Sequence, residues 1–242
     1  MGKAFEGRVI WITGAGSGMG EATALRFAEE GARLVLVDLA ADRVARVASE
    51  AVSRGGEAAV IAGDLRDPAT AARAGALIGE RHGRLDMLVN CAGFNVPKRR
   101  WSELSPADAS AVIQTNLTAL FHTTTTALPL MRARKSGLLV HIASTDGWRV
   151  GMTGGPAYSA SKHGVVAMSH TINLEEAANG IRSCVICPGG VDTRFLDQRD
   201  APPTTAQREK LLRPRDIANL IHYIASAPDY VRFDEVVITP VK

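Results

Sequence analysis

The run Leu34-Val35-Leu36-Val37 is apolar at four consecutive positions instead of at every second one. A strand with that pattern is buried on both faces, as in a parallel sheet sandwiched between helices. Similar short runs recur at Arg8 to Thr13, Arg33 to Asp38, Glu57 to Ala62, Met87 to Asn90, Leu138 to Ala143, Arg182 to Cys187 and Glu235 to Thr239. Between them lie longer, often alanine-rich stretches that read as helices: Met19 to Glu30, Ala41 to Arg54, Pro68 to His82, Pro106 to Arg134, Ala157 to Asn179 and Pro214 to Ser226. The expected class is α/β, a doubly wound parallel seven-stranded sheet flanked by helices, with right-handed crossovers. Asp67-Pro68 and Ser105-Pro106 each offer an N-cap followed by proline at the first helical position. Gly31 and Gly180 supply helix stops where a positive φ is useful.

A chain of 242 residues, 46% hydrophobic and 22% charged, can bury one sizeable core, so residues 1–242 are expected to form a single domain. The net charge of +3 is small. The basic runs Lys98-Arg99-Arg100 and Arg132 to Lys135 read as solvated loop and helix-end charges, so nucleic acid is not an expected partner. No apolar stretch is long enough to cross a bilayer, and the N-terminus has no apolar signal core. The cytoplasm is the expected compartment and no membrane partner is expected. Cys184-Val185-Ile186-Cys187 resembles a redox or metal motif, but residues three apart in a strand face opposite sides of the sheet. Packing cysteines are the better reading, and no metal site is expected.

In such sheets ligands sit at the carboxyl ends of the strands. The first strand is followed by Thr13-Gly14-Ala15-Gly16-Ser17-Gly18-Met19-Gly20 and then a helix. The spacing is T-G-x-x-x-G-x-G, and G-x-G-x-x-G is not met. Glycines let backbone approach a pyrophosphate, and the helix N-terminus offers free amides and a positive dipole. A Rossmann-like dinucleotide site follows, with Gly14, Ser17, Gly18, Met19 and Gly20 around the phosphates. Asp38 ends the second strand about twenty residues later, where a carboxylate accepts the adenosine ribose hydroxyls and repels a 2′-phosphate. Leu39 stands where a phosphate-binding arginine would help NADP. NAD is therefore expected over NADP, with Arg43 as the residue that favours the opposite choice.

Tyr158 and Lys162 are four apart at the start of a helix and share one face. A phenol has a pKa near 10, and a neighbouring ammonium favours its ionised form. Ser144 lies at the carboxyl end of the preceding strand, where its hydroxyl can hold a substrate oxygen beside Tyr158. Read as a general acid/base pair, these residues protonate or deprotonate an alcohol oxygen while a nicotinamide cofactor carries the hydride.

With Asp64-Leu65, Asn90-Cys91-Ala92-Gly93, Asn116, Tyr158-Ser159-Ala160-Ser161-Lys162 and Pro188-Gly189 in the same order, the chain resembles the short-chain dehydrogenase/reductase family in its compact form. The resemblance runs from Arg8 to about Thr239. It implies that Lys162 also grips the nicotinamide ribose and that Asn116 completes a proton relay through water. It implies further that Asp64 and Leu65 contact adenine, and that Asn90 steadies the central sheet while its loop, with Ala92 and Gly93, lines the cofactor cleft. Pro188, Gly189, Val191 and Thr193 would orient the nicotinamide. Cys91 replaces the asparagine more usual there. The implied activity interconverts a secondary alcohol and a ketone or aldehyde, in a homodimer or homotetramer built on the two long helices. A non-catalytic NAD-sensing protein and an NADPH-dependent carbonyl or 3-oxoacyl reductase are the alternatives. The substrate is expected between Phe94 to Leu104, Thr145 to Pro156 and a lid over about 190–213, where Arg149 or Arg194 would meet an anionic group.

Overall fold

The computed structural model describes residues 3–241. Seven strands, β1 (Val9–Thr13), β2 (Arg33–Asp38), β3 (Glu57–Ala62), β4 (Met87–Asn90), β5 (Gly137–Ile142), β6 (Ile181–Pro188) and β7 (Glu235–Ile238), form one sheet. Every pairing is parallel and the order is β3-β2-β1-β4-β5-β6-β7. The chain builds outward from β1 in one direction, then returns and builds from β4 in the other. The crevice therefore opens between β1 and β4, at the carboxyl ends of both. Register brings Thr13 opposite Asn90, and Asn90 opposite His141, so the polar residues lie at one level near the strand ends.

Both faces of the five central strands are dry, as their unbroken apolar runs require, while the edge strands β3 and β7 are partly exposed. Ile10, Ile12, Leu34 and Leu36 point to one side. They meet α1 (Gly18–Ala28), α2 (Ala41–Ser53) and α9 (Pro214–Ala225). Trp11, Val35, Val37, Leu88 and Leu139 point to the other, against α3 (Pro68–His82), α5 (Ala119–Arg132) and α7 (Pro156–Glu175). Each such side chain, once removed from water, contributes about 1.5–3 kcal/mol. Cys184 belongs to the first face and Cys187 to the second; with Cys91 both are free thiols. The C-x-x-C spacing is thus a packing feature.

The helix expected over Pro106 to Arg134 is interrupted. It comprises α4 (Pro106–Ile113), one wide π turn over Gln114–Thr118 and α5. Asn116 lies in that turn, which propensity cannot reveal because the widening is a tertiary effect. Three short elements are absent from the sequence reading: α6 (Thr145–Trp148), α8 (Thr205–Glu209) and a 3-10 turn over Arg194–Gln198. Caps nucleate two of them. Ser144 accepts from the Asp146 amide, and Thr204 with Gln207 forms a reciprocal capping box. The expected caps at Asp67 and Ser105 are present, and Gly31 and Gly180 have φ of +77 and +66.

The segment over 190–213 is a tied-down cover. Val191 bridges Leu212, and Asp192 pairs with Arg208 at 3.0 Å and Arg213 at 2.6 Å. Arg208 also pairs with Asp197. Among the described residues no helix is long and apolar enough to cross a membrane, and no group of metal-ligating side chains assembles.

Candidate active site

One cleft of about 1130 Å³ runs along the strand ends. That exceeds the ~300–1,000 Å³ usual for a single drug-sized ligand, leaving room for a dinucleotide and a substrate together. Its floor at one end is the glycine turn. Gly14 has φ +63, and a Cβ there would stand 2.8 Å from the Ala92 amide nitrogen. A Cβ on Gly20 would run into the Gly14 carbonyl oxygen. The β1–α1 turn therefore packs backbone on backbone against the loop after β4. Ser17, at the N-cap of α1, makes no side-chain cap. The first amides of α1 are left to a ligand, which is the arrangement a pyrophosphate needs. Thr193 crosses above, its Cγ2 3.2 Å from where a Gly18 Cβ would lie. Met19, Pro188, Gly189 and Val191 line the same cleft. The residues present fit a dinucleotide.

Asp38 is 8% exposed at the end of β2. One carboxylate oxygen accepts from the Gly16 amide at 2.9 Å and the other from the Ala40 amide at 2.9 Å. Arg43 reaches to 3.7 Å of the same carboxylate. Leu39 is exposed beside it. Asp64 and Leu65 border this end of the cleft. Asp64 accepts from Arg66 Nε at 2.8 Å, a bond that holds its pKa below the usual carboxylate range.

Asn90 is enclosed under the cleft. It accepts from Thr123 Oγ1 at 2.9 Å and Thr13 Oγ1 at 3.4 Å, and its amide nitrogen lies 3.2 Å from His141 Nδ1. Burial pushes the His141 pKa down to about 3, so a neutral ring accepts that bond. Thr13 Oγ1 in turn accepts from the Ala92 amide at 3.2 Å. The cluster ties β1, β4, β5 and α5 together directly beneath the Ala92-Gly93 loop.

At the other end of the cleft stand Ser144, Tyr158 and Lys162, brought together as the sequence spacing implied. Lys162 is 4% exposed; its ammonium donates to the Ile142 carbonyl at 2.8 Å and lies 5.7 Å from the Tyr158 ring centre. Burial pushes its pKa down to about 8. Desolvation pushes the Tyr158 phenol up to about 12; the Ser144 hydroxyl pulls the other way, Asp146 adds to the rise, and Arg199 and Arg99 oppose it. The lowering expected from Lys162 is not found: burial sets the direction of the Tyr158 shift, and the ammonium faces the ring centre and the β5 carbonyl.

Asn116 is fully buried. Its side chain accepts from the Phe94 amide at 2.8 Å and donates to the Phe94 carbonyl at 2.9 Å and Ser161 Oγ at 3.2 Å. Gly93 separates it from Lys162: a Cβ there would sit 3.2 Å from Asn116 Oδ1 and 3.5 Å from Lys162 Nζ. Asn116 thus clamps the wall loop beside the lysine, its Oδ1 keeping one acceptor site free.

The substrate end has residues that sequence reasoning did not single out. Phe195 packs 5.9 Å from the Tyr158 ring, and Asn95, buried, donates to the Gly154 carbonyl at 2.8 Å. Arg99 and Arg199 both line the cleft. Arg99 corrects the reading of Lys98-Arg99-Arg100 as solvated charges: it turns inward and donates to the Pro97 and Gln198 carbonyls, each at 3.2 Å. Arg149 and Arg194 also border the cleft but are exposed, with Arg149 stacked 5.5 Å from the Trp148 ring. No local spacing could have signalled Arg199, since it enters through the fold of the lid.

The buried lysine has a measurable signature. Between pH 8 and 10.5 the unfolded chain holds a proton that folded Lys162 has released, so stability from this group rises with pH across that window. Below the window its burial costs on the order of 3 kcal/mol. The thiols of Cys91, Cys184 and Cys187, raised to about 12, about 12 and about 11 by burial, act oppositely above about pH 9. Urea unfolding of wild type and Lys162→Met isolates the lysine. From pH 7.5 to 9 wild type should gain about 1 kcal/mol relative to the variant. Parallel pH profiles would show that Lys162 titrates normally.

Comparison with known proteins gives a consistent set. The family model described as short chain dehydrogenase matches residues 8–203. A cis-4-hydroxycyclohexanecarboxylate dehydrogenase of Sinomonas cyclohexanicum is 37% identical over 233 residues, covering 93% of this chain and 92% of the relative. The crystal structure of levodione reductase superposes with a TM-score of 0.89 at 30% identity, over 97% of both chains. An alcohol dehydrogenase from the archaeon Thermococcus sibiricus, solved with 5-hydroxy-NADP, superposes with a TM-score of 0.87 at 28% identity, over 98% of this chain and 97% of that one.

Proposed function

We propose that this chain, which belongs to the short-chain dehydrogenase family, interconverts a secondary alcohol and a ketone with NAD(H), and that Tyr158 moves the proton. The protein is an NAD(P)-dependent oxidoreductase acting on a CH–OH group. The observation that carries the finer reading is the convergence of Ser144, Tyr158 and Lys162 in the cleft that also holds the glycine turn. A protein that only sensed the dinucleotide would have no use for a phenol, a hydroxyl and a buried ammonium at its far end.

The nicotinamide cofactor supplies or accepts the hydride when bound. In reduction the Tyr158 phenol, protonated at neutral pH, donates to the carbonyl oxygen as negative charge develops there. Ser144 donates to the same oxygen and holds it. In oxidation the phenolate takes the alcohol proton, and the charge of Lys162 together with that of the oxidised cofactor, when bound, would offset the desolvation that keeps the phenol protonated in the protein alone. Lys162, anchored on the Ile142 carbonyl, is set to hold the nicotinamide ribose. Asn116 acts as a positioning residue through the Phe94 loop. Asp64 and Leu65 would meet adenine, and Val191 and Thr193 the nicotinamide half. Phe121 on α5 and Leu174 on α7, both exposed, belong with a homo-oligomer built on these helices.

NAD is our choice because Asp38 presents a carboxylate, fixed by two amides, at the ribose end. Its charge repels a 2′-phosphate and its oxygens suit free hydroxyls. NADP is the second reading, favoured by Arg43 beside that carboxylate and by the NADP derivative in the Thermococcus sibiricus enzyme. Asp38→Asn keeps the shape and removes the charge. Wild type should use NAD at least about tenfold better than NADP, and the variant should close most of that gap. Equal use of both cofactors by wild type, or no change in their ratio on substitution, defeats the NAD assignment.

A further inference from the structure

Arg99 and Arg199 enter the substrate end from two different segments, one from the loop after β4 and the other from the end of the 3-10 turn in the lid. Arg99 donates to the carbonyl of Gln198, the residue before Arg199, so the two arginines are held as neighbours. Two lid arginines are matched: Arg208 pairs with Asp192 and Asp197, and Arg213 with Asp192. Among the described residues Arg99 and Arg199 are in no ion pair, and Arg199 Nε is buried without a hydrogen-bond partner. Burial, and after it the like charge of Arg199, lower the pKa of Arg99. Both arginines also bear on the Tyr158 phenol. A buried, unpartnered N–H beside a second guanidinium is relieved by an anion lying between them.

Asp146 and Asp200 supply partial compensation. Asp200 acts on Arg99, and Asp146, half-buried beside Tyr158, is felt by the phenol and itself feels Arg199. That compensation leaves a place for one negative charge more naturally than for a phosphate dianion. We propose that Arg99 and Arg199 bind a carboxylate of the substrate beside Tyr158, so that the enzyme prefers hydroxy acids and keto acids to neutral alcohols and ketones. The inference rests on the alcohol–ketone reading of the same site and adds the chemical class of its substrate.

Keto acids of five to eight carbons and their methyl esters, taken in matched pairs, are followed by NADH and NADPH consumption. In parallel the binding of each acid and ester to the cofactor-loaded protein is measured by calorimetry. The acid should exceed its ester about tenfold or more in kcat/KM or in affinity. Arg199→Met should bring the acid-to-ester ratio towards one, and Arg199→Lys should restore part of it. Arg99→Met should do the same as Arg199→Met. A purely structural role would lower acid and ester together and leave the ratio unchanged, which overturns the proposal. Turnover of ketones with no preference for acids overturns it while the redox reading stands. Selective acid binding that Arg199→Met abolishes, without turnover of any pair, upholds it while the redox reading falls. Neither selective binding nor selective turnover overturns it.

Discussion

Replacing Tyr158 with phenylalanine is expected to lower turnover by about a thousandfold while leaving NADH affinity within a factor of two, magnitudes in line with loss of general acid/base catalysis. The substitution removes one oxygen and little else. The ring stays packed beside Phe195, and Lys162 keeps its bond to the Ile142 carbonyl. Ser144 still faces the cleft, but its hydroxyl also accepts from the Asp146 amide. The phenol at about 12 is held protonated, so reduction has its acid ready at neutral pH. Oxidation needs the ionised form and should quicken as pH rises. Steady-state rates and NADH fluorescence titration, in both variants, decide the matter. A Tyr158→Phe protein that retains a tenth of its activity would remove the tyrosine from the mechanism.

The second large effect concerns a residue with no side chain. Gly20→Ala places a methyl group against the Gly14 carbonyl oxygen and 2.8 Å from the Gly14 carbonyl carbon. Both obstacles are backbone, and Gly14 is itself pressed on the Ala92 amide, so the turn cannot yield on its own. The first turn of α1 must move outward, which carries its free amides away from the pyrophosphate position. A loss of roughly 2–4 kcal/mol is expected, comparable to overpacking at a core site, with a fall of about 5–12 °C in Tm. Dinucleotide affinity should drop at least about a hundredfold, the weight of two or more charge-assisted amide bonds. Thermal melts and cofactor titration test it together. A variant that melts within 2 °C of wild type and binds NADH normally would mean that the close approach is not required.

The sheet was legible because its strands announce double burial. Leu34 to Val37 and Leu138 to Ile142 carry apolar side chains at nearly every position, which few other arrangements tolerate. Helix starts at Pro68 and Pro106 were legible for a local reason, the cap-and-proline pair. The cofactor turn and the Tyr158–Lys162 pair were readable because their chemistry depends on residues close in sequence. Long-range consequences were not. The widened turn at Asn116 accompanies its grip on Phe94, twenty-two positions away, and that grip leaves no trace in spacing. The direction of the phenol's shift depends on how much water reaches it, which the i, i+4 pairing does not encode. Arg99 looked like one of three solvent charges until the lid carbonyl of Gln198 gave it a partner across the chain.

The two ends of the cleft are made of different material. At the dinucleotide end the decisive contacts are main chain on main chain, Gly14 on Ala92 and Gly20 on Gly14, where almost no alternative residue is admissible. At the other end three loops present side chains, and the strands beneath them are complete without them. Mutation can therefore rewrite Phe94 to Leu104, Thr145 to Pro156 and the cover from Arg194 to Leu211 with little cost to the sheet or the turn. A lineage built on this plan can change its diet while keeping its engine, because novelty and heredity occupy opposite banks of one channel.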